Sequence, residues 1–172
     1  MKDKSIYASA PAYYQYYFDL IESNDLLREL RLNEEEVCNV ISEIPDQTWH
    51  YAYAEGKWTC AELIRHIIET ERVFSYRALR FSRFDQTALP GFDENKFIDA
   101  LHALKFSQDH ILRDFKAVRA STIALFETMN DEMLRFAGNA NGLSVTAEML
   151  GYMIVGHTKH HIQVLQDRYV IG

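Results

Sequence analysis

Apolar residues recur at steps of three and four along most of this chain, and this spacing constrains its fold more than any other feature. Side chains three or four positions apart lie on one face of an α-helix, so each such stretch predicts an amphipathic helix. Signals for β-strands are weak throughout. Four long stretches show the helical pattern: residues 24–44, residues 59–84, a third from about residue 93 to a break at residues 138–142, and a fourth from residue 144 to about residue 169.

The residues at the ends of these stretches are typical of helix boundaries. Pro45 cannot continue a helix and ends the first one. Thr59-Cys60-Ala61-Glu62 predicts a capping box at the start of the second helix, in which the threonine and the glutamate satisfy free backbone N–H groups. Pro90-Gly91 predicts a turn before the third helix, and Ser144 predicts the N-cap of the fourth.

Amphipathic helices of this length must bury their apolar faces against one another, which predicts an all-α four-helix bundle. A chain of 172 residues has the size of one domain, so we assign residues 1–172 to a single domain. The first two connections are longer than a minimal turn, so a simple alternation of helix directions is not required. An aromatic N-terminal extension precedes the first helix, and we expect it to pack over the bundle or across a subunit interface. Its tyrosines are Tyr7, Tyr13, Tyr14, Tyr16 and Tyr17.

The charge and composition of the chain argue against nucleic acids and membranes as binding partners. The formal net charge of −7 argues against a nucleic-acid partner, because binding to phosphates needs a basic surface. No stretch approaches the roughly 20 apolar residues that span a bilayer, so no membrane partner is predicted. The first residues lack the apolar core of a signal peptide, and the two cysteines do not form a disulfide framework. We therefore expect a soluble cytoplasmic protein that acts on a small molecule.

Two histidines lie one helical turn apart on the fourth helix. With about 100° between successive residues, His157 and His161 both fall inside the apolar face of this helix, whereas His160 falls at its edge. Buried imidazoles without a partner are costly, and a bound metal ion removes that cost. On spacing alone His157 and His160 can also chelate one ion, but the apolar face favours His157 with His161.

His66 lies on the apolar face of the second helix, between Leu63 and Ile67. Three histidines from two facing helices leave one coordination position open, which is typical of a catalytic rather than a structural metal site. Imidazole ligands suit zinc, nickel, iron and copper alike, so the three histidines do not choose the metal.

Polar residues near the predicted site are candidates for further roles. Glu62 can orient an imidazole, although a solvated glutamate is the simpler interpretation. Arg77 and Arg80 can bind an anionic substrate group, and pairing with the acidic surface is the alternative for both. The sequence leaves His160 open as a spare ligand, a general base or a surface residue.

Several segments together resemble one known family. They are residues 56–59 (GKWT), 62–66 (ELIRH), 71–81 (ERVFSYRALRF), 89–93 (LPGFD) and 156–161 (GHTKHH), followed by 167–169 (DRY). In order and spacing this set is similar to the DinB-like, YfiT-like superfamily of metal-dependent hydrolases, over about residues 17–169. The resemblance implies a bundle of up-down-down-up topology, often dimeric, with zinc or nickel held at the positions of His66, His157 and His161.

Members of that family include transferases that use low-molecular-weight thiols such as bacillithiol or mycothiol, and an isomerase that depends on such a thiol. Our leading hypothesis is therefore a divalent-metal-dependent, thiol-dependent S-transferase acting on a small electrophile, expected to be a homodimer. A second hypothesis is a hydrolase in which the ion activates water. The third is a non-catalytic, metal-binding stress-response dimer. A cleft lined by Trp58, Arg77 or Arg80 beside the metal site counts against the third.

Overall fold

The computed structural model describes residues 10–101 and 104–169. The helices and strands, in chain order, are α1 (Ala12–Asp19), α2 (Leu26–Glu43), α3 (Asp46–Trp49), α4 (Cys60–Ser82), α5 (Glu94–Leu101), α6 (Gln108–Glu127), α7 (Asp131–Arg135), β1 (Ala137–Ala140), β2 (Leu143–Thr146) and α8 (Ala147–Tyr169). The four long helices, α2, α4, α6 and α8, form the bundle that the apolar spacing predicts.

Side-chain caps fix where the two helices that carry the histidines begin. The predicted capping box of α4 is confirmed: Thr59 Oγ1 accepts a hydrogen bond from the backbone N–H of Glu62, whose carboxylate accepts one from the N–H of Thr59 at 2.8 Å. The predicted cap of α8 is wrong. Ser144 lies within β2, and Thr146 Oγ1 instead accepts from the N–H of Met149. Both residues are good caps, so the spacing alone did not separate them.

The third predicted helix is also wrong in one respect, because the chain forms three helices, α5, α6 and the short α7, where one was expected. The first break falls between α5 and α6. Ser107 ends the connection by capping α6, accepting from the N–H of His110 at 3.2 Å. The carbonyl of Phe106 accepts a hydrogen bond from the indole of buried Trp49. The apolar spacing continues across this break, which is why the sequence pattern did not show it.

A short β-hairpin precedes α8, although strand signals in the sequence are weak. Strand β1 pairs antiparallel with β2, and Asn141-Gly142 forms the turn between them with φ angles of 54° and 78°. Positive φ at both central residues is typical of a type I′ hairpin turn, for which Asn-Gly is the favoured pair. The hairpin was predicted only as a helix break because each strand has four residues.

Contacts between the ends of the long helices give the direction of each one. Arg31, near the start of α2, pairs with Glu127 at the end of α6, whereas Gln108 at the start of α6 bonds to the carbonyl of Ile44. Helices α2 and α6 are therefore antiparallel. Helices α4 and α6 are parallel, since their early residues Arg65 and Asp114 form an ion pair, and the contact between Ser75 and Thr122 lies later on both helices.

Helix α8 runs antiparallel to α4 and parallel to α2. Tyr169, at the end of α8, donates a hydrogen bond to the carbonyl of Trp58 just before α4. Lys159 pairs with Glu29 of α2 at 3.6 Å, and Gly151, nearer the start of α8, lies against Leu26. The four long helices thus run up, down, down and up in chain order, which confirms the expected topology.

The bundle core consists of two apolar clusters separated by a layer of buried polar side chains. One cluster includes Phe74 to Phe81 of α4 and residues 147–155 of α8. The other includes the apolar side chains within residues 60–68 of α4, and Ile162, Leu165 and Tyr169 of α8. Most buried polar residues of the four long helices fall at or between these clusters; they are Asn33, His66, Thr70, Glu71, Arg119, Thr122, His157 and Thr158. The other three, Glu29, Arg77 and Ser82, are sequence neighbours of residues in the first cluster. The polar layer positions the candidate site at mid-height in the bundle.

The aromatic extension packs over the bundle, as expected, through α1. Tyr14, Tyr17 and Phe18 are buried against α8 and its neighbours, whereas Tyr13 is exposed. The two backbones approach so closely that a Cβ at Gly156 would lie 2.3 Å from the carbonyl oxygen of Tyr17. Tyr7 lies outside the described residues. No helix in the described part of the chain is long and apolar enough to cross a membrane.

Candidate metal centre

Three histidine side chains converge on one point between α4 and α8. The Nε2 atom of His157 lies 3.0 Å from the Nε2 atoms of both His66 and His161. The candidate ligand atoms of all three residues lie within 4.8 Å of one another. The three converging residues are the same three that the sequence predicts as metal ligands. They meet because the antiparallel packing of α4 and α8 brings His66 opposite the turn of α8 that holds His157 and His161.

Burial keeps these imidazoles neutral. Loss of solvent lowers the pKa of His66 to about 4. Burial, followed by the neighbouring histidines, lowers the pKa of His161 to about 3 and that of His157 well below its ordinary value. The neutral imidazole is the form that binds a metal ion, so the site presents its ligands ready for coordination at physiological pH.

The arrangement fits a metal ion better than it fits a hydrogen-bonded cluster. Each neutral ring nitrogen is either a donor or an acceptor, so the Nε2 of His157 cannot serve both neighbours well. The buried Nδ1 atom of His161 has no hydrogen-bond partner among the described residues. Two ligands of a tetrahedral zinc ion lie about 3.3 Å apart for bonds of about 2.0–2.1 Å, close to the 3.0 Å separations here. A divalent cation therefore fits this donor set.

Aromatic and hydroxyl groups surround the three imidazoles. The indole of Trp58 lies 4.7 Å from the ring of His66, and the ring of Tyr17 lies 5.9 Å from that of His157. Thr70 Oγ1 lies 3.5 Å from Nδ1 of His66, where it can accept a hydrogen bond that leaves the Nε2 lone pair facing its neighbours. Two of the three imidazoles are thus in contact with aromatic rings.

Two pockets open beside the cluster, one on each side. The first has a volume of about 260 Å³ and is lined by His161, Trp58, Tyr53 and Lys57, among others. We call it the Trp58 pocket. The second, of about 130 Å³, is lined by His157 and Arg77, together with other residues. We call it the Arg77 pocket. A ligand in either pocket lies next to a candidate metal ligand.

Comparison with known proteins agrees with this geometry. The family model described as "DinB superfamily" matches residues 29–165, most of the chain and all three histidines. The chain belongs to the DinB superfamily. Among curated proteins no significant match was found.

One solved structure of similar fold is YfiT from Bacillus subtilis, described as a probable metal-dependent hydrolase with an unusual four-helix bundle topology. The alignment has a TM-score of 0.74 and 16% sequence identity, and it covers 86% of this chain and 87% of YfiT. At that identity the likeness shows a shared fold. The resemblance predicted from the sequence is thus confirmed for family and fold.

The structure separates the two candidate arginines of this DinB superfamily member. Arg77 is buried and lines the pocket beside His157. Arg80 lies one turn further along α4, where its guanidinium bonds to Asp85 and to the hydroxyl of Tyr76. Arg80 therefore lies away from the three histidines and takes the structural role that was its alternative.

The other two candidates make contacts outside the ligand set. The carboxylate of Glu62 caps α4 through Thr59 and borders a different pocket, next to Arg65. His160 Nδ1 lies 3.0 Å from the hydroxyl of Tyr16, which ties α8 to α1. Its pKa is lowered by burial. The spacing of Thr70, four residues after His66, places it on the same helix face. No comparable signal in the sequence indicates Tyr17 as a neighbour of the ligands.

Proposed function

We propose that this protein is a divalent-metal-dependent enzyme that joins a low-molecular-weight thiol, such as bacillithiol, to a small electrophile. The observation that carries the proposal is the convergence of three neutral imidazoles on one point with a pocket on either side. Three protein ligands leave a coordination position for a reactant. Membership of the DinB superfamily, part of which performs such transfers, supports the same chemistry.

Different residues would bind the metal ion and the substrate. His66, His157 and His161 would hold the ion, and a divalent metal there supplies Lewis acidity that lowers the pKa of a thiol or water reaching the open position. Trp58 would form an apolar wall against which the electrophile can rest, and the buried surroundings would limit competing water. Zinc and nickel remain the proposed metals, because the resemblance to the DinB superfamily implies them and both accept imidazole ligands.

The two pockets also weigh against a purely structural metal site. A non-catalytic metal-binding protein needs no open space beside its ligands, whereas here Trp58 and Arg77 each line such a space. A hydrolase remains the second candidate. The description of YfiT as a probable metal-dependent hydrolase favours it, and the same ligand set can activate water.

Metal content tests the centre itself. Wild-type protein purified without an immobilised-metal column should carry about one zinc or nickel ion per chain by elemental analysis. His66→Ala should lose most of it, and His66→Ala/His161→Ala nearly all. His160→Ala is the matched control, since this histidine bonds to Tyr16 outside the ligand set, and it should keep its metal. Unchanged metal content in the double variant would sink the proposal.

Adding a thiol separates the two chemistries. If metal-loaded protein consumes a chlorinated aromatic electrophile only when bacillithiol or cysteine is present, transfer is supported. Turnover of an ester in buffer alone supports hydrolysis. Native mass spectrometry of the same sample would report the bound ion and the number of chains together, and we expect two chains. No turnover with either substrate class, at full metal content, would contradict both enzymatic proposals.

A further inference from the structure

Arg77 is a buried cation without a carboxylate partner among the described residues. Its relative exposure is 5%. The other arginines of α4 differ in this respect: Arg65 and Arg72 pair with Asp114, and Arg80 pairs with Asp85. A buried, unpaired guanidinium is costly, because burial removes its hydration without supplying a counter-charge. Such a group is typical of a site whose counter-charge is a ligand.

The guanidinium of Arg77 is held in place by neutral groups. Its Nη2 donates a hydrogen bond to the carbonyl of Pro90 at 2.7 Å, and its Cζ lies 5.8 Å and 5.7 Å from the rings of Phe74 and Phe92. Within the described chain, Nε and Nη1 donate to no protein group. A guanidinium anchored through one nitrogen keeps the donors that bind a carboxylate in two-point fashion.

The lining of the Arg77 pocket includes a second polar group, the amide of Asn141. The hairpin turn places the side chain of Asn141 there, packed so closely against the loop that a Cβ at Gly91 would lie 2.5 Å from Asn141 Oδ1. Tyr14 belongs to the same lining. Glu94 is the acidic residue of the lining, and it is exposed at the rim, where water screens its charge.

We propose that the Arg77 pocket is a carboxylate-binding subsite, in which Arg77 and Asn141 hold a carboxylate of the thiol substrate next to His157. The volume of about 130 Å³ suits a group the size of a short carboxylic acid. The electrophile then occupies the Trp58 pocket on the side of His161. This assignment rests on the proposed function for the identity of the ligand, while the preference for a carboxylate follows from the pocket alone.

Two matched probes test the preference on the zinc-loaded protein. Binding of 3-mercaptopropionate and of its uncharged amide, 3-mercaptopropionamide, is measured by titration calorimetry. Wild-type protein should bind the carboxylate about ten-fold or more tightly, the usual effect of a hydrogen bond to a charged group. Arg77→Gln should lose that preference, Arg77→Lys should keep part of it, and the matched control Arg80→Gln should keep all of it.

A second arm avoids the metal altogether. In protein stripped of metal with a chelator, malonate should shift the amide NMR signals of residues lining the Arg77 pocket, and malonamide should not. Equal binding of the charged and uncharged probes to wild-type protein in both arms would overturn the subsite, whatever the variants do. A preference that persists in Arg77→Gln would overturn it too, since the metal would then be the carboxylate ligand. Metal content, measured separately, reports on the proposed function.

Discussion

Helix α4 carries two buried polar clusters that differ in one decisive way. His66 faces α8 and joins His157 and His161. Five residues later, Glu71 faces α6 and forms a two-point ion pair with Arg119, both nitrogen–oxygen distances being 2.9 Å. Both clusters lie at the polar layer that divides the apolar core, and their side chains are buried except that of His161, which is partly exposed.

The ion pair is complete within the protein, whereas the histidine cluster is not. Arg119 also donates to the carbonyl of Leu30 and to Asn33 Oδ1, so it joins α2, α4 and α6. His161 keeps a buried Nδ1 without a partner in the described chain, and the Nε2 atoms of His66 and His161 both lie 3.0 Å from that of His157. A polar cluster whose hydrogen bonds are all made within the protein, here called closed, stabilises one packing of the helices. A cluster that leaves polar atoms without partners, here called open, is suited to bind a ligand.

Breaking the closed cluster should have the largest effect. Arg119→Met leaves the Glu71 carboxylate buried and unpaired, and the free energy of unfolding should fall by about 3–5 kcal/mol. The double variant Glu71→Leu/Arg119→Met removes both charges and should recover much of the loss. Urea denaturation measures the unfolding free energy of the single and the double variant. We expect both variants to keep the metal content of the wild type. A double variant as unstable as the single one would show that packing, not charge, accounts for the loss.

Filling the open cluster should stabilise the protein by a smaller amount. Free zinc at about a hundred times its dissociation constant raises the unfolding free energy by about 2.7 kcal/mol, because it binds the folded state. For a chain of this size, the midpoint temperature of thermal denaturation should then rise by several degrees. His66→Ala should abolish the shift while His160→Ala retains it. Equal shifts in the two variants would place the stabilising ion elsewhere.

Acid should destabilise metal-free protein through the histidine cluster. The folded state lowers the pKa of His66 to about 4 and that of His161 to about 3 through burial, against about 6.5 in the unfolded chain. The unfolded chain therefore binds more protons below pH 6.5. Stability is complete above that pH and falls by about 1.4 kcal/mol per unit for each such histidine as the pH drops towards 4. Urea titrations between pH 7 and pH 5 of wild-type and His66→Leu protein should give a shallower slope for the variant.

The smallest expected effect is a gain in stability. His161→Leu removes a buried nitrogen that lacks a partner, so metal-free protein should become more stable by about 1 kcal/mol. His160→Leu is the matched control, since it removes the contact with Tyr16 and should be neutral or destabilising. Chemical denaturation of the two metal-free variants makes the comparison. A loss of stability in His161→Leu would mean that its ring packing outweighs the unpaired nitrogen.

Much of this architecture follows from residue spacing. The bundle and the capping box at Thr59 are confirmed, and the side chains of His66, His157 and His161 converge as expected, because each depends on the regular geometry of a helix. Metal binding by these three histidines stays a prediction. The helix directions came from the family resemblance, since nothing in the spacing orients one amphipathic helix relative to another.

What spacing did not predict depends on contacts between distant segments. The break between α5 and α6 is held by a cap at Ser107 and by the indole of Trp49, 57 residues from its acceptor. The different positions of Arg77 and Arg80 depend on Pro90 and Asp85, both in the loop after α4. The partners of Arg119 come from α2 and α4. Periodicity reports which face of a helix is buried but not what it meets there.

The parallel arrangement of α4 and α6 has a consequence for how new specificities can arise. A chain leaving one end of α4 must travel back along the bundle before α6 begins, and this return carries it past the histidines. Gly91, Phe92 and Glu94 line one pocket and Asn95 the other. Under the proposed function, both pockets would be walled partly by a segment that supplies none of the three histidines, so evolution could exchange the wall and change the range of reactants while α4 and α8 stay intact.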